Sequence, residues 1–194
     1  TIAKYGYDGF DLDAEPSYAQ PFQTDKELWQ NAKVMEAFVK TMGKRIGPKS
    51  GTDKMFVIDG EPDAMAAQYG EYFNYFILQA YNSSGNSDLN SRFTAQATHF
   101  QQYLTPEQVA NKLIVCENFE NYAGKGGVSF RLDNGQTLPS LLGMAYWNPV
   151  YNGVTYRKGG VGTYHMEYEY TVSGQTGNYP FLRKAIQIMN PSIQ

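Results

Sequence analysis

The feature that most constrains this chain is a repeated change of hydrophobic period. Short apolar runs of strand length alternate with stretches whose apolar residues recur every three or four positions. "GYDGFDLDAE" (6–15) reads as a strand, and the loop "PSYAQPFQ" follows it. Thr24 and Glu27 then form a capping-box pattern, and Leu28, Ala32, Met35, Phe38, Val39 and Met42 continue at helical spacing until Gly47-Pro48. Further strands are predicted at "KMFVID" (54–59), "YFILQAYN" (75–82), "KLIVCEN" (112–118) and "GMAYWN" (143–148). Between them lie a short helical stretch around "PDAMAAQYGEY", a helix over 88–104 and a restart with Pro106 at its first position. "YPFLRKAIQIMN" reads as a terminal amphipathic helix.

Strand and helix alternating through five cycles predict an α/β chain with a parallel sheet and helical crossovers. The strands read as near-continuous apolar runs, as expected where both faces are buried. Polar residues gather at their C-terminal ends: Asp13 and Glu15, Asp59 and Glu61, Gln79 and Asn82, Glu117 and Asn118, Trp147 and Asn148. Functional groups collect at that end in parallel barrels and open sheets alike. No strand is followed by a GxGxxG or P-loop fingerprint.

Composition narrows the function. A net charge of −3 over 194 residues, with no basic stripe, argues against a nucleic-acid partner. No apolar run approaches the roughly 20 residues of a membrane-spanning helix. The single cysteine, Cys116, excludes an internal disulfide, and one cysteine with two histidines gives little basis for a transition-metal site. Sixteen tyrosines, eleven phenylalanines and two tryptophans suit either core packing or stacking platforms for sugar rings.

The acids of the first strand are the sharpest motif. Side chains alternate across a strand, so Asp11, Asp13 and Glu15 share one face while Phe10, Leu12 and Ala14 take the other. Three like charges this close do not all ionise cheaply, and one is expected to keep its proton near neutral pH. A protonated carboxyl at working pH is what general-acid catalysis requires. A polar strand end satisfied by backbone or water, and an oxygen-rich Mg²⁺ or Ca²⁺ site, are the alternatives.

"DGFDLDAE" resembles, at every defined position, the D-G-x-D-x-D-x-E strand motif of glycoside hydrolase family 18, which includes chitinases and endo-β-N-acetylglucosaminidases. The resemblance implies a (β/α)8 TIM barrel in which this motif lies on the fourth strand, so the chain would supply strands four to eight with their helices. About three N-terminal units would then be absent, since a full barrel needs about 250 residues. It also implies substrate-assisted retaining hydrolysis, in which the 2-acetamido oxygen of the sugar attacks the anomeric carbon. By motif position, Glu15 would be the general acid and later base, Asp13 would orient the acetamido group and stabilise the oxazolinium cation, and Asp11 would modulate Asp13. Asp8, out of phase with that face, would be structural.

The same resemblance places Tyr81 as the tyrosine that hydrogen-bonds the acetamido carbonyl, with Gln79 beside it. This Q-x-Y arrangement, with Asn82 and with Ala14 where chitinases commonly carry an aromatic, is similar to the endo-β-N-acetylglucosaminidase branch. Trp147 would end the last strand and form the floor under the sugar. Glu117 and Asn118, and more weakly Asp59 and Glu61, are candidates to bind substrate hydroxyls. "GTYHMEYEY" (162–170) reads as an aromatic-rich loop after the last strand, with His165 a satisfied loop residue and His99 structural. The implied substrate is a β-1,4-linked N-acetylglucosamine oligosaccharide, most specifically the chitobiose core of an N-glycoprotein. The implied partner is an N-terminal fragment of the same barrel. No cofactor or metal is expected, and a secreted or cell-surface bacterial setting is implied. Chitinase activity, or glycan binding without catalysis on the same fold, are the competing readings; non-catalytic relatives typically lose the final glutamate, which is present here as Glu15.

Overall fold

The computed structural model describes residues 2–17, 31–172 and 177–191, so the Thr24/Glu27 capping pattern lies outside the described residues. The chain divides into two compact units, Thr1–Leu78 with Ala95–Lys112, and Gln79–Thr94 with Leu113–Gln194.

In the first unit a single turn, α1 (Ile2–Tyr5), precedes strand β1 (Gly9–Ala14), helix α2 (Ala32–Gly43), β2 (Met55–Gly60) and β3 (Tyr75–Gln79). Helix α2 begins at Asn31, whose side-chain oxygen accepts from the N–H groups of Lys33 and Val34. That cap satisfies donors which the first helical turn leaves without partners. The helix buries Met35, Val39 and Gly43, a stripe at four-residue spacing. Strands β1 and β2 run parallel, with Phe10 beside Phe56 and Asp13 beside Asp59. Strand β3 continues the parallel ladder, with Val57 beside Tyr75 and Asp59 beside Ile77.

Alternation along β2 and β3 sends Phe56, Ile58, Phe76 and Leu78 into the core. The Phe56 ring lies 4.2 Å from that of Phe73 and 6.3 Å from that of Phe38 on α2. Phe76 stacks on Phe100 at 4.8 Å, in helix α3 (Asn86–Phe100). Each such fully buried aromatic contributes about 1.5–3 kcal/mol. The opposite face, carrying Val57, Asp59 and Ile77, is only half-buried. The apolar runs predict burial on both faces; the face that carries the acids is half-buried instead. A short helix, α4 (Pro106–Lys112), starts at its proline and ends at Lys112, whose ammonium donates to the Phe73 carbonyl.

In the second unit β4 (Leu113–Asn118) runs parallel to β9 (Gly160–Tyr164), with Ile114 beside Gly160 and Asn118 beside Tyr164. Between them come the hairpin β5–β6 (Ser129–Arg131, Thr137–Pro139), helix α5 (Ser140–Tyr146) and the hairpin β7–β8 (Val150–Tyr151, Val154–Thr155). Helices α6 (Met166–Thr171) and α7 (Pro180–Met189) follow. The core joins Phe119, Ala123, Leu141, Ala145 and Ala185, with Phe181 and Leu182 of α7 packed against it.

"GMAYWN" is therefore not a strand: residues up to Tyr146 belong to α5, and Trp147 is its C-terminal cap. The helix buries Ser140, Leu141, Gly143, Met144 and Ala145. A short segment buried nearly all round carries no periodicity that separates helix from strand. The last parallel strand is instead "GVGTY", Gly160–Tyr164, which overlaps the start of what the sequence suggests is an aromatic-rich loop. Its glycines hide it, because strand propensity is carried by branched and aromatic residues.

Two buried charges staple this unit. The Glu169 carboxylate accepts from the N–H groups of Phe181 at 2.6 Å and Leu182 at 3.3 Å. It thereby caps α7, whose own N-cap residue, Tyr179, provides no side-chain bond. The Lys158 ammonium donates to the carbonyls of Ala145, at 2.9 Å, and Trp147 at the end of α5. Burial, reinforced by nearby Arg157, pushes the Lys158 pKa down to about 8. Negative charge at a helix start and positive charge at a helix end both oppose the helix dipole favourably. Glu169→Ala is expected to lower unfolding free energy by about 1–3 kcal/mol, since it strands two part-buried donors. Glu169→Gln, which keeps one acceptor, is expected to lose less; urea unfolding of the two variants measures both.

Candidate active site

In the first unit, the register of β1 on β2 sets the acids side by side. Asp11 and Asp13 project from the face opposite Leu12 and Ala14, and Glu15 follows in the same phase just beyond the strand. Asp59 stands beside Asp13 on the neighbouring strand, and Glu61 lies just past the end of β2. Glu15, Asp59 and Glu61 are half-buried, whereas Asp11 and Asp13 are more open. Desolvation pushes the Asp11 carboxyl above its ordinary value, partly offset by a hydrogen bond from the Leu12 backbone N–H. Among the described residues no hydrogen bond engages the carboxylates of Asp13 or Glu15. An uncommitted acid beside other acids can donate a proton and steady a developing cation. Among the described residues no group of three or more His, Cys, Asp or Glu is placed to hold a metal ion.

In the second unit the strand ends carry phenols and amides. Gln79 closes β3, and Tyr81, half-buried, comes two residues later. Asn82 takes the left-handed conformation at φ 59°, an uncommon one that asparagine tolerates. Its N–H donates to Glu117 Oε1 at 3.0 Å, and the Asn118 N–H donates to the same oxygen at 2.7 Å. Glu117 is 0% exposed, so its carboxylate fixes the turn after Tyr81 and offers no surface to a sugar hydroxyl. The Asn118 side chain accepts from the Glu120 N–H at 2.6 Å, which turns the chain after β4.

Trp147 corrects the expectation attached to it. It is 2% exposed, and its indole N–H donates to Asn90 Oδ1 at 3.0 Å. A ring so enclosed has no free face for a sugar. The aromatic that does end the last strand is Tyr164, half-exposed, with its ring 6.4 Å from that of Tyr81. His165 and Tyr168 extend the aromatic edge at successive ring separations of 5.2 and 4.2 Å. Sequence reading passes over Tyr164 because its strand is glycine-rich; a tyrosine closing a Gly-x-Gly-x-Tyr run is the signal available. His99 is structural as expected, bonding the Met65 carbonyl through Nε2 at 2.7 Å.

Comparison with known proteins gives this arrangement a context. The family model for glycoside hydrolase family 18, BT1044-like, matches residues 1–188. The chain is 27% identical over 198 aligned positions to endo-β-N-acetylglucosaminidase F2 of Elizabethkingia meningoseptica, covering 98% of this chain and 53% of that protein. Among solved structures, a selenomethionine form of BT1044 with a glutamate replaced by glutamine superposes with a TM-score of 0.73 at 27% identity, covering 98% of this chain and 56% of that one. An endo-β-N-acetylglucosaminidase of Cordyceps militaris, solved with fucosyl-N-acetylglucosamine-Asn, superposes with a TM-score of 0.65 at 22% identity, covering 98% and 59%. The chain thus spans about half the length of the relatives it matches. Its parallel strands and helices are a portion of the TIM-barrel fold of these proteins.

The raised Asp11 pKa has a consequence for stability. The folded chain holds that proton more tightly than the unfolded chain, so stability falls as pH rises from the ordinary carboxylate range through the raised value. Asp11→Asn removes the penalty carried above that range. Its Tm is expected to exceed wild type at about pH 7 and to match it at about pH 3.5, in paired thermal melts. An equal offset at both pH values would contradict the assignment.

Proposed function

Because the chain belongs to glycoside hydrolase family 18, we propose that it carries the proton-transfer half of a glycosidase that cuts the β-1,4 bond in the chitobiose core of N-linked glycans. The observation that supports this most directly is the acid ladder of β1. Asp11, Asp13 and Glu15 share a strand face beside Asp59, and Glu15 stands at the C-terminal end of the strand. That is where parallel α/β barrels keep their chemistry.

In this reading Glu15 protonates the glycosidic oxygen as the bond to the anomeric carbon breaks. The substrate's own 2-acetamido oxygen closes on that carbon, giving an oxazolinium ion. Asp13 accepts the acetamido N–H, orienting the nucleophile and balancing the cation's charge. Water then attacks the anomeric carbon, Glu15 takes its proton, and the ring opens with net retention. Desolvated Asp11, the next acid along the same face, tempers the charge on Asp13. Tyr81 donates its phenol to the acetamido carbonyl, and Gln79 and Asn82 contribute to sugar recognition from the same strand end. Tyr164 takes the aromatic role at the final strand that sequence assigns to Trp147. A glycoprotein substrate suits an extracellular setting, and an N-terminal part of the barrel would complete the substrate groove.

Incubating a high-mannose glycoprotein with the protein and weighing the product is the direct test. One N-acetylglucosamine left on asparagine is expected; intact glycan, with chitin oligomers degraded instead, would overturn the assigned specificity. Glu15→Gln is expected to abolish hydrolysis while leaving glycan binding intact. Asp13→Asn is expected to cut turnover by about two orders of magnitude or more, since it removes the group that steers the nucleophile.

A further inference from the structure

Sequence gives Glu61 no role beyond a weak candidacy for sugar hydroxyls, and gives Gly60 none. Their geometry points elsewhere. The Glu61 N–H donates to the Ala14 carbonyl at 2.8 Å, just before Glu15. The Glu61 carboxylate accepts the Ser17 N–H through Oε2 at 3.0 Å, just after it. One residue therefore grips the chain on both sides of Glu15. Gly60 lets it do so. It holds φ +98°, and a Cβ there would fall 2.5 Å from the Ala14 carbonyl oxygen and 3.0 Å from Glu15 Cγ. At the closer of these contacts the backbone oxygen would have to move, and the Glu15 side chain would lose the wall it lies against.

We propose that Gly60 and Glu61 form a clamp that positions Glu15: Gly60 supplies a flat wall for its Cγ, and Glu61 pins the backbone before and after it. The inference rests on Glu15 being the general acid. Glu61 is a positioning residue, acting through the backbone of Ala14 and Ser17, and touches no substrate. The ordinary period of a strand ends at Ala14, so without this clamp Glu15 would sit on an unpaired loop. A general acid is useful only when held within hydrogen-bond reach of the leaving oxygen, and small misplacements cost large factors in rate.

The test separates the clamp from the general-acid reading. Turnover of a chitobiose-core glycopeptide is measured for wild type, Glu15→Gln, Glu61→Ala and Glu61→Gln, alongside hydrogen exchange of the Ser17 amide and the NMR line shape of the Glu15 side chain. Glu61→Ala is expected to lower kcat by about ten- to a hundredfold, with KM within about twofold. It should also speed Ser17 exchange by about tenfold and broaden the Glu15 signal. Glu61→Gln keeps an acceptor for Ser17 and should restore all three. Wild-type kcat, Ser17 exchange and Glu15 line shape in Glu61→Ala overturn the clamp while leaving Glu15 as the acid. So does a rise confined to KM, or loss that Glu61→Gln does not rescue. Activity retained in Glu15→Gln overturns the general-acid reading itself. The exchange and line-shape measurements decide the clamp even where turnover is too slow to measure.

Discussion

The acid-bearing unit of this chain depends on the parallel register between Gly9–Ala14 and Met55–Gly60. That ladder sets Asp13 beside Asp59 and lets both strands finish at the same level. A slip of one residue would turn every acid on β1 into the core and every apolar residue outward. Phe56 and Ile58 prevent the slip on β2, because the burial of both, with Phe56 against Phe73 and Phe38, fixes which face is which. The acids owe their position to hydrophobic packing on the face behind them. Sequence, packing and site are connected through a single alternation.

Much of this arrangement is legible in the amino-acid sequence. Among the described residues, four of the five parallel strands, including all six residues of Leu113–Asn118, fall where apolar runs of strand length predict them. The helix over 88–104 and the proline-initiated helix at Pro106 are present, the first as Asn86–Phe100. The letters fail at elements whose composition contradicts their environment. "SLLGMAY" is a helix with five of its seven residues buried, so its apolar run shows no helical period, and Gly160–Tyr164 pairs with β4 although two of its five residues are glycine. Trp147, placed by its apolar neighbours on a strand that does not exist, thereby acquires a role its burial denies. Glu117 reads as a sugar ligand because a carboxylate at a strand end looks exposed in one dimension. Nothing in the letters reveals that both Asn82 and Asn118 direct N–H groups at it.

How each carboxylate is used distinguishes chemistry from architecture better than its position does. Glu169 gives both oxygens to the first turn of Pro180–Met189, and Glu117 gives one oxygen to two backbone donors while 0% exposed. A proton transferred to an oxygen committed in this way would compete with the backbone donors it already serves, and losing those bonds in a buried setting is costly. Lys158 is the cationic counterpart, its ammonium donating to the last carbonyls of Ser140–Tyr146 and its cap.

Asp13 and Glu15 differ from those two committed carboxylates by what they leave undone. Their neighbour Glu61 accepts a backbone bond at Ser17, and Asp11 is bonded by its own strand at Leu12. Among the described residues, Asp13 and Glu15 accept neither kind of bond. Holding such groups in place without engaging their oxygens requires support from the backbone on either side and from a wall without a side chain. The strand ladder, Glu61 and Gly60 meet both requirements. Oxygens left unengaged among the described residues are the ones the proposed reaction would draw on, and the bonds that fix their backbone fall on neighbouring residues.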